Sequence, residues 1–523
     1  MIEEARKAEG FAGYAMWLIQ DIPGYPQGIF DYDWRPKDLS AAEFVKSNGP
    51  SVLMMHEASC RTRRCFRAGE HVVFDVFVSN DDDAPIHGEL AWRISDRSTG
   101  AALSAGKTAR VTSEPYSSGR LSTIEITMPE TPRAVAATLT MAIEDKGPRL
   151  RNDWPIWLFP KDLLSFTRSR IGIYDRSEQA LKSVRRAFPF VGGFTPNTDL
   201  VISNVMDDQL MKYLVGGGKV ILITPGNAYP CTIIETHFQS RWPNSAEGAN
   251  INATIIRDHP LFADFPHDGY CDYQFYNLIG AGGRGIAFRV PDDVRPIVEV
   301  FHTESRAAYL FEAGVGKGKL LATTFRLADT LGVFPESAYL FSLLLRYADG
   351  TIFLPQAQLT PDDIEKIVFP GYMSLDLAQG KRIRIKGVCL SGGGLVKYPD
   401  TAVGGRRCNW VYAASTPYHT MTFDFKLAGE PSHDLTLVLE GASYSAAGGK
   451  DKVDIRIAVN GNTLFEGPSE FPTGRFGQRH YRIARGSLKG GMNTLSICNL
   501  EPDGPTGNAP LFAVDFLEFV LEP

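Results

Sequence analysis

Several features are missing from this chain of 523 residues, and each absence excludes a class of function. There is no basic block and no helix rich in Lys and Arg; 54 Lys+Arg stand against 60 Asp+Glu, for a net charge of -6. That balance lacks the electrostatic footprint of a nucleic-acid binder. No apolar run approaches the roughly 20 residues that a membrane-spanning helix needs. The opening Met1-Ile-Glu-Glu-Ala-Arg is acidic and has no apolar centre, so it does not read as a signal peptide. Location stays open: periplasmic or secreted if a native front end carried a signal, cytoplasmic otherwise. Cysteines number seven (Cys60, Cys65, Cys231, Cys271, Cys389, Cys408 and Cys498), with no Cys-x-x-Cys and no His at zinc-finger spacing. Cys60 and Cys65 can pair across a short hairpin in an oxidising compartment; otherwise all seven read as buried, reduced thiols. No metal site and no cofactor is expected, and no acidic cluster supports a structural calcium.

What is present is a change of hydrophobic period along the chain, and the length suits about three or four domains. From Ser51 to about Trp157 apolar residues alternate, as in Val72, Phe74, Val76 and Val78, then Leu90, Trp92 and Ile94. Period two with turn formers between the runs predicts short strands in a sandwich whose core takes Trp92. Near Ser169 the texture becomes strand-helix-strand. Strands are expected at Arg170–Asp175, Thr198–Ser203, Lys219–Thr224, Pro296–His302, Ala307–Phe311 and Lys319–Thr324, with helices at Glu178–Phe188, Met206–Leu214 and Glu336–Tyr347. That alternation predicts a doubly wound α/β domain. Thr360-Pro-Asp-Asp has the form of a helix start. From about residue 370 the pattern is again all-β, with Asn460-Gly as a hairpin turn.

The glycine runs Gly280-Ala-Gly-Gly-Arg-Gly and Gly314-Val-Gly-Lys-Gly-Lys match neither a P-loop nor a dinucleotide fingerprint. The second reads as a hairpin turn before Leu320.

The segment Glu9 to Tyr25, with its Gly-aromatic strand carrying Trp17 and then Asp21-Ile-Pro-Gly, resembles the end of the catalytic barrel in glycoside hydrolase family 2, the β-galactosidase/β-glucuronidase group. The resemblance implies that an immunoglobulin-like domain follows, and that the chain corresponds to the C-terminal portion of such a protein. The implied order is barrel end and linker (1–50), immunoglobulin-like β-sandwich (51–165), amidotransferase-like α/β domain (166–350), linker helix (351–369) and galactose-binding-like jelly roll (370–523). In that family two carboxylates on earlier barrel strands do the chemistry. A barrel takes about 250 residues, so neither carboxylate maps onto this chain. Trp17 and Asp21 match the motif and would line a sugar site completed by a barrel on another chain.

The α/β segment is similar to the glutamine-amidotransferase-like domain of some β-galactosidases, its most specific phrase being His259 to Tyr276. A working amidotransferase needs a Gly-flanked nucleophilic Cys with a His. Cys231 stands several residues too late, and Cys271 with His259 or His267 lies in an aromatic-rich loop, so that activity is not expected. The implied role is assembly, as a homo-oligomer. For sugar binding, aromatic faces must meet pyranose rings beside polar groups. The candidates are Trp410 with Asn409, and Arg406, Tyr412 and Tyr444; Trp410 is otherwise a residue buried between the sheets. Asp515 and Glu518 stand at odd spacing on a strand and face opposite sides unless a bulge intervenes. The expected function is thus an accessory, glycan-binding and assembly region of a family 2-like hydrolase. The alternatives are a stand-alone glycoside hydrolase, with Asp268, Asp272, His259 and His267 as its polar group, and a purely structural oligomerisation protein.

Overall fold

The computed structural model describes residues 2–8, 13–15, 19–22, 28–37, 39–144, 150–162, 170–175, 181–188, 191–223, 233–235, 254–279, 284–287, 294–302, 305–361, 363–364, 373–375, 382–386, 391–393, 408–416, 418–444, 452–504 and 509–521. It divides into two compact units. The first holds Met1–Thr167, Asp258–Leu278 and Thr330–Arg346; the second holds Arg168–Arg257, Ile279–Asp329 and Tyr347–Pro523. No helix among the described residues is long and apolar enough to cross a membrane.

The first unit is built on a β-sandwich. One sheet joins Ser51–Glu57, His71–Asn80 and Ser117–Thr127; the other joins Cys65–Arg67, Leu150–Phe159, Val135–Glu144, Ile86–Asp96 and Ala102–Ser113. Alternation decides which side chains meet. Val72, Phe74, Val76 and Val78 are buried together with Leu90, Ile94, Leu139, Met141 and Trp154. Trp92 shares that face but is only partly buried, because its ring lies over Gly106 on the neighbouring strand, where a Cβ would collide with it. Among the described residues, the buried tryptophans are Trp154 and Trp157.

Asp258–Leu278 and Thr330–Arg346 pack in this unit through aromatic rings. Phe159, at the end of a sandwich strand, lies 5.9 Å from Phe265 and 5.5 Å from Tyr339. Phe262, Phe265 and Phe275 continue the cluster, and Arg346 pairs with Asp264. Apolar contact thus groups the His259–Tyr276 phrase with the sandwich, although its sequence texture lies inside the α/β stretch.

Among the described residues, the second unit contains an 11-stranded sheet and a second sandwich. Five strands of the sheet run parallel in the order Gly192–Gly193, Ile171–Tyr174, Leu200–Ser203, Lys219–Ile223 and Gly318–Thr323. Ser305–Val315 then pairs antiparallel with the last of these. The helices Lys182–Ala187 and Asp208–Val215 occupy two of the crossovers, as parallel neighbours require. Val201, Ile202, Val220, Ile221 and Leu222 are all fully buried, which accounts for their continuous apolar runs. All six expected strands of this region are present, and the Glu336–Tyr347 helix appears as Pro335–Asp349. Gly316 adopts φ 61 in the tight turn between Val315 and Gly318. Thr360 and Asp363 cap one another reciprocally.

The C-terminal sandwich has one sheet on His419–Leu427, Gly491–Asn499 and Asp454–Val459, and another on Leu511–Leu521 and Leu435–Tyr444. Their inner faces share a core that includes Phe423, Phe425, Leu437, Leu439, Ile457, Ile497, Val514 and Phe519. Asn460 (φ 51) and Gly461 (φ 82) form the expected hairpin turn.

One glycine tests the parallel sheet directly. A Cβ on Gly318 would lie 1.9 Å from the carbonyl oxygen of Leu214 and 2.6 Å from that of Gly218, both backbone atoms. Gly318→Ala should destabilise the second unit by about 1–3 kcal/mol or more, read as an earlier urea transition, whereas Gly429→Ala, with open space around it, should leave the midpoint unchanged.

Candidate functional site

The C-terminal sandwich carries an aromatic pair on the face turned away from its core. Asn409–Tyr412 pairs with one edge of the closing strand Leu511–Leu521, setting Trp410 opposite Ala513 and Tyr412 opposite Leu511. Leu435–Tyr444 pairs with the other edge, setting Ala442 opposite Ala513 and Tyr444 opposite Leu511. Val411, Phe512 and Val514 point into the core, so alternation turns Trp410 and Tyr412 outward. Trp410 and Tyr444, both half-buried, stack with ring centroids 5.7 Å apart and planes 29° apart. Two alanines across the intervening strand, Ala442 and Ala513, are fully covered. Small residues there leave room for the rings to lie across the sheet.

The other candidates divide by geometry. Asn409 is buried on the core side, because neighbours on a strand face opposite ways, so it does not stand beside Trp410. Tyr412 is buried, with its ring edge-on to Tyr418 at 6.5 Å, and burial pushes its phenol up. Arg406 and Trp17 lie outside the described residues. Asp21 is buried in a loop: its Oδ1 accepts from the Gly28 N–H at 2.8 Å and from Lys37 Nζ at 2.7 Å, and Lys37 holds the carboxyl below its usual range. A β-bulge at Asp515 does interrupt the closing strand, since Glu440 pairs Phe516 while Gly441 pairs Val514. The condition for bringing Asp515 and Glu518 to one face is therefore met. Even so, no group of three His, Cys, Asp or Glu among the described residues could hold a metal ion.

The four candidate catalytic residues lie on one loop of the first unit, where much of their polar capacity serves the loop itself. His259 and His267 each accept a backbone N–H at Nδ1, from Leu261 and Gly269. Asp272 caps a short 3-10 turn through the Tyr273 N–H at 2.7 Å, and Asp268 pairs with Arg97 at 2.9 Å. Burial raises the Asp272 carboxyl and lowers the His267 imidazole. Cys60, Cys65 and Cys498 are free thiols; Cys271 is buried in this loop and Cys408 in the C-terminal sandwich, while Cys231 lies outside the described residues.

The sequence reading missed a more enclosed polar group in the same unit. Glu336, in the first turn of Pro335–Asp349, has no accessible surface. Asn277 Nδ2 donates to its Oε1 at 2.9 Å, while among the described residues Oε2 and the Ser337 hydroxyl meet no hydrogen-bond partner. Burial raises this carboxyl, and burial with Glu336 alongside pushes the Cys65 thiol well above its usual value. A buried carboxylate without a paired cation is costly, and protonation relieves that cost. Only the neighbouring Pro335 marked the position in sequence.

Two family models match parts of the chain, each described as a domain of unknown function: DUF8488 over residues 70–160 and DUF8487 over residues 201–369. No curated protein matches. Solved structures similar to the chain include a family 35 carbohydrate binding module from an environmental isolate, at 13% identity over 26% of this chain and 92% of that one, with a TM-score of 0.19. A Paenibacillus sp. cycloisomaltooligosaccharide glucanotransferase is 11% identical over 87% of this chain and 71% of that one, with a TM-score of 0.18. A Bacteroides uniformis beta-glucuronidase is 10% identical over 95% of this chain, with a TM-score of 0.16; the match spans 33% of that enzyme's length.

The buried acid makes stability depend on pH in a definite direction. The raised folded-state value means that Glu336 binds its proton more tightly folded than unfolded. Its favourable contribution is complete below the unfolded carboxylate value of about 4.3 and is lost as pH rises through the folded value. Glu336→Gln keeps the acceptor for Asn277 and cannot ionise. The stability of wild type minus that of the Gln variant, from urea titrations, should therefore fall as pH rises from about 4. A flat difference would mean that Glu336 is ionised in the fold.

Proposed function

We propose that this chain is the glycan-binding and assembly region of a carbohydrate-active protein, and that its C-terminal sandwich makes the contact through Trp410 and Tyr444. The observation that carries this reading is the outward-facing aromatic stack across Ala442 and Ala513. Pyranose rings expose C–H faces that rest on aromatic planes, and a sheet face holds such planes rigidly. Glu440, turned to the same side of its strand as Tyr444 and bonded by Gln478 Nε2 at 2.8 Å, adds a fixed acceptor farther along the sheet. Asn409 packs behind this face, and Tyr412 is a buried packing residue on the same side as Trp410.

The family 2-like resemblance of residues 9–34, the immunoglobulin-like and galactose-binding-like characters of the two sandwiches, and the amidotransferase-like character of the parallel sheet belong to the same proposal, as do their boundaries. Assembly through the α/β domain also belongs to it. Hydrolysis by this chain alone is not part of the proposal, because the histidines and aspartates of the 259–272 loop largely cap their own turns.

The test is retention on insoluble polysaccharides together with turnover of an aryl-glycoside panel by the same purified chain. Retention on one polysaccharide should drop at least about tenfold in Trp410→Ala, a loss of about 1.4 kcal/mol, with melting temperature unchanged and no sugar released. Turnover that survives Trp410→Ala and disappears with Asp272→Asn would replace this reading with a stand-alone hydrolase.

A further inference from the structure

We propose that the glycan contact of the C-terminal sandwich has two ends on one sheet face, the stack of Trp410 on Tyr444 and a polar pair, Gln478 with His480, so that its ligand is several consecutive sugars of one chain. This rests on the Trp410 reading and adds the length of the ligand to it.

Register places both ends on the outer face. Leu435, Leu437 and Leu439 point into the core, so Thr436, Val438 and Glu440 point outward. The bulge at Asp515 falls on the partner strand, so alternation continues unbroken to Ala442 and Tyr444. Gly477–Ile483 borders Leu435–Tyr444 on its other edge, where Gln478 pairs with Glu440, His480 with Val438 and Arg482 with Thr436. Tyr481 and Ile483 join the core, which turns Gln478, His480 and Arg482 outward as well. From Tyr444 to Val438 the face runs six residues along one strand, roughly 20 Å. A single pyranose ring does not reach that far.

The polar end is ordered and keeps hydrogen-bonding capacity. Gln478 Nε2 donates to the Glu440 carboxylate at 2.8 Å, which fixes the amide, while its Oε1 accepts nothing among the described residues. His480 makes no hydrogen bond or ion pair among the described residues, and both side chains are exposed. Arg482, next along, is neutralised by Asp434, to which its Nε donates at 2.6 Å. Between the two ends Ala442, Glu440 and Val438 are buried, so the middle of the face lies low beside the exposed Gln478 and His480. An extended glycan matches this arrangement. The C–H face of one sugar rests on the aromatic rings, and hydroxyls farther along the chain donate to Gln478 Oε1 and bond the His480 ring. Gln478 is held before the ligand arrives, so its bond costs little further side-chain entropy. A lone sugar seated on the rings leaves Gln478 and His480 bonded to water, with no gain from either.

The experiment is isothermal titration of the full chain with cello-, xylo- and manno-oligosaccharides, each as the disaccharide and the hexasaccharide. In at least one series wild type should bind the hexasaccharide about tenfold more tightly than the disaccharide. Most of that gap should close when Gln478→Ala and His480→Ala are combined, with disaccharide affinity unchanged, whereas Trp410→Ala should weaken both lengths. Thermal melts check the fold, and His480→Ala alone serves if freeing Glu440 unfolds the double variant. Equal affinity for the two lengths overturns the proposal; if Trp410→Ala then abolishes both, the Trp410 reading stands. A gap that persists in the variants also overturns it, because a hexasaccharide offers one short site several registers of the same chain. Disaccharide affinity lost with Gln478 and His480 puts them at the same subsite as the rings, which overturns the two-ended arrangement. Wild type binding none of these ligands overturns this proposal and the Trp410 reading together.

Discussion

The C-terminal sandwich depends on one strand. Leu511–Leu521 hydrogen-bonds Arg382–Lys386 and Asn409–Tyr412 along one edge and the whole of Leu435–Tyr444 along the other. It closes the sheet and supplies Phe512, Val514, Leu517 and Phe519 to the core. It also sets the register that brings Trp410 and Tyr444 together. A slip of one residue would turn each aromatic to the core side, so core packing and the binding face are fixed by the same pairing. The bulge at Asp515 lies just beyond the aromatic pair and shifts the pairing between the two halves of the strand.

The first unit rests on a different constraint. Its sandwich ends in an apolar surface at Trp157 and Phe159, and that surface is buried by segments distant in sequence. Packing these segments in encloses polar groups along with the rings, which is how Glu336 comes to lie beside Cys65 and how Arg64 comes to lie over Tyr273. Glu336 is closed off and favours its proton. Arg64 keeps accessible surface. The difference lies in access to water, since both are largely surrounded by protein.

Much of the fold was legible in the sequence. Period-two alternation placed Val72 to Val78 and their partners, and continuous apolar runs placed the parallel strands, because burial on one face or two leaves those signatures directly in the chain. Helix ends were less well placed: Met206–Leu214 became Asp208–Val215, with Asp207 as the cap. Local chemistry fixed the Asn460-Gly461 and Gly316 turns and the Thr360 cap. The sites were legible only in part. Trp410 and Tyr444 could be named as aromatic candidates, but their partnership could not, since 33 residues and a strand from the far end of the chain lie between them. Asn409 was paired with Trp410 by adjacency, and strand geometry sends adjacent residues to opposite faces.

The sequence by itself determined the alternation of sheet types, the turns, and the absence of any charge pattern or motif for nucleic acids, dinucleotides or zinc. These follow from short-range rules, in which each residue constrains neighbours within a few positions. Only the tertiary structure decided that the 258–278 segment packs with the first sandwich, that Glu336 loses all contact with water, and that Arg64 lies over Tyr273. Those outcomes depend on which distant apolar surfaces bury one another, and a buried polar group is a consequence of that choice.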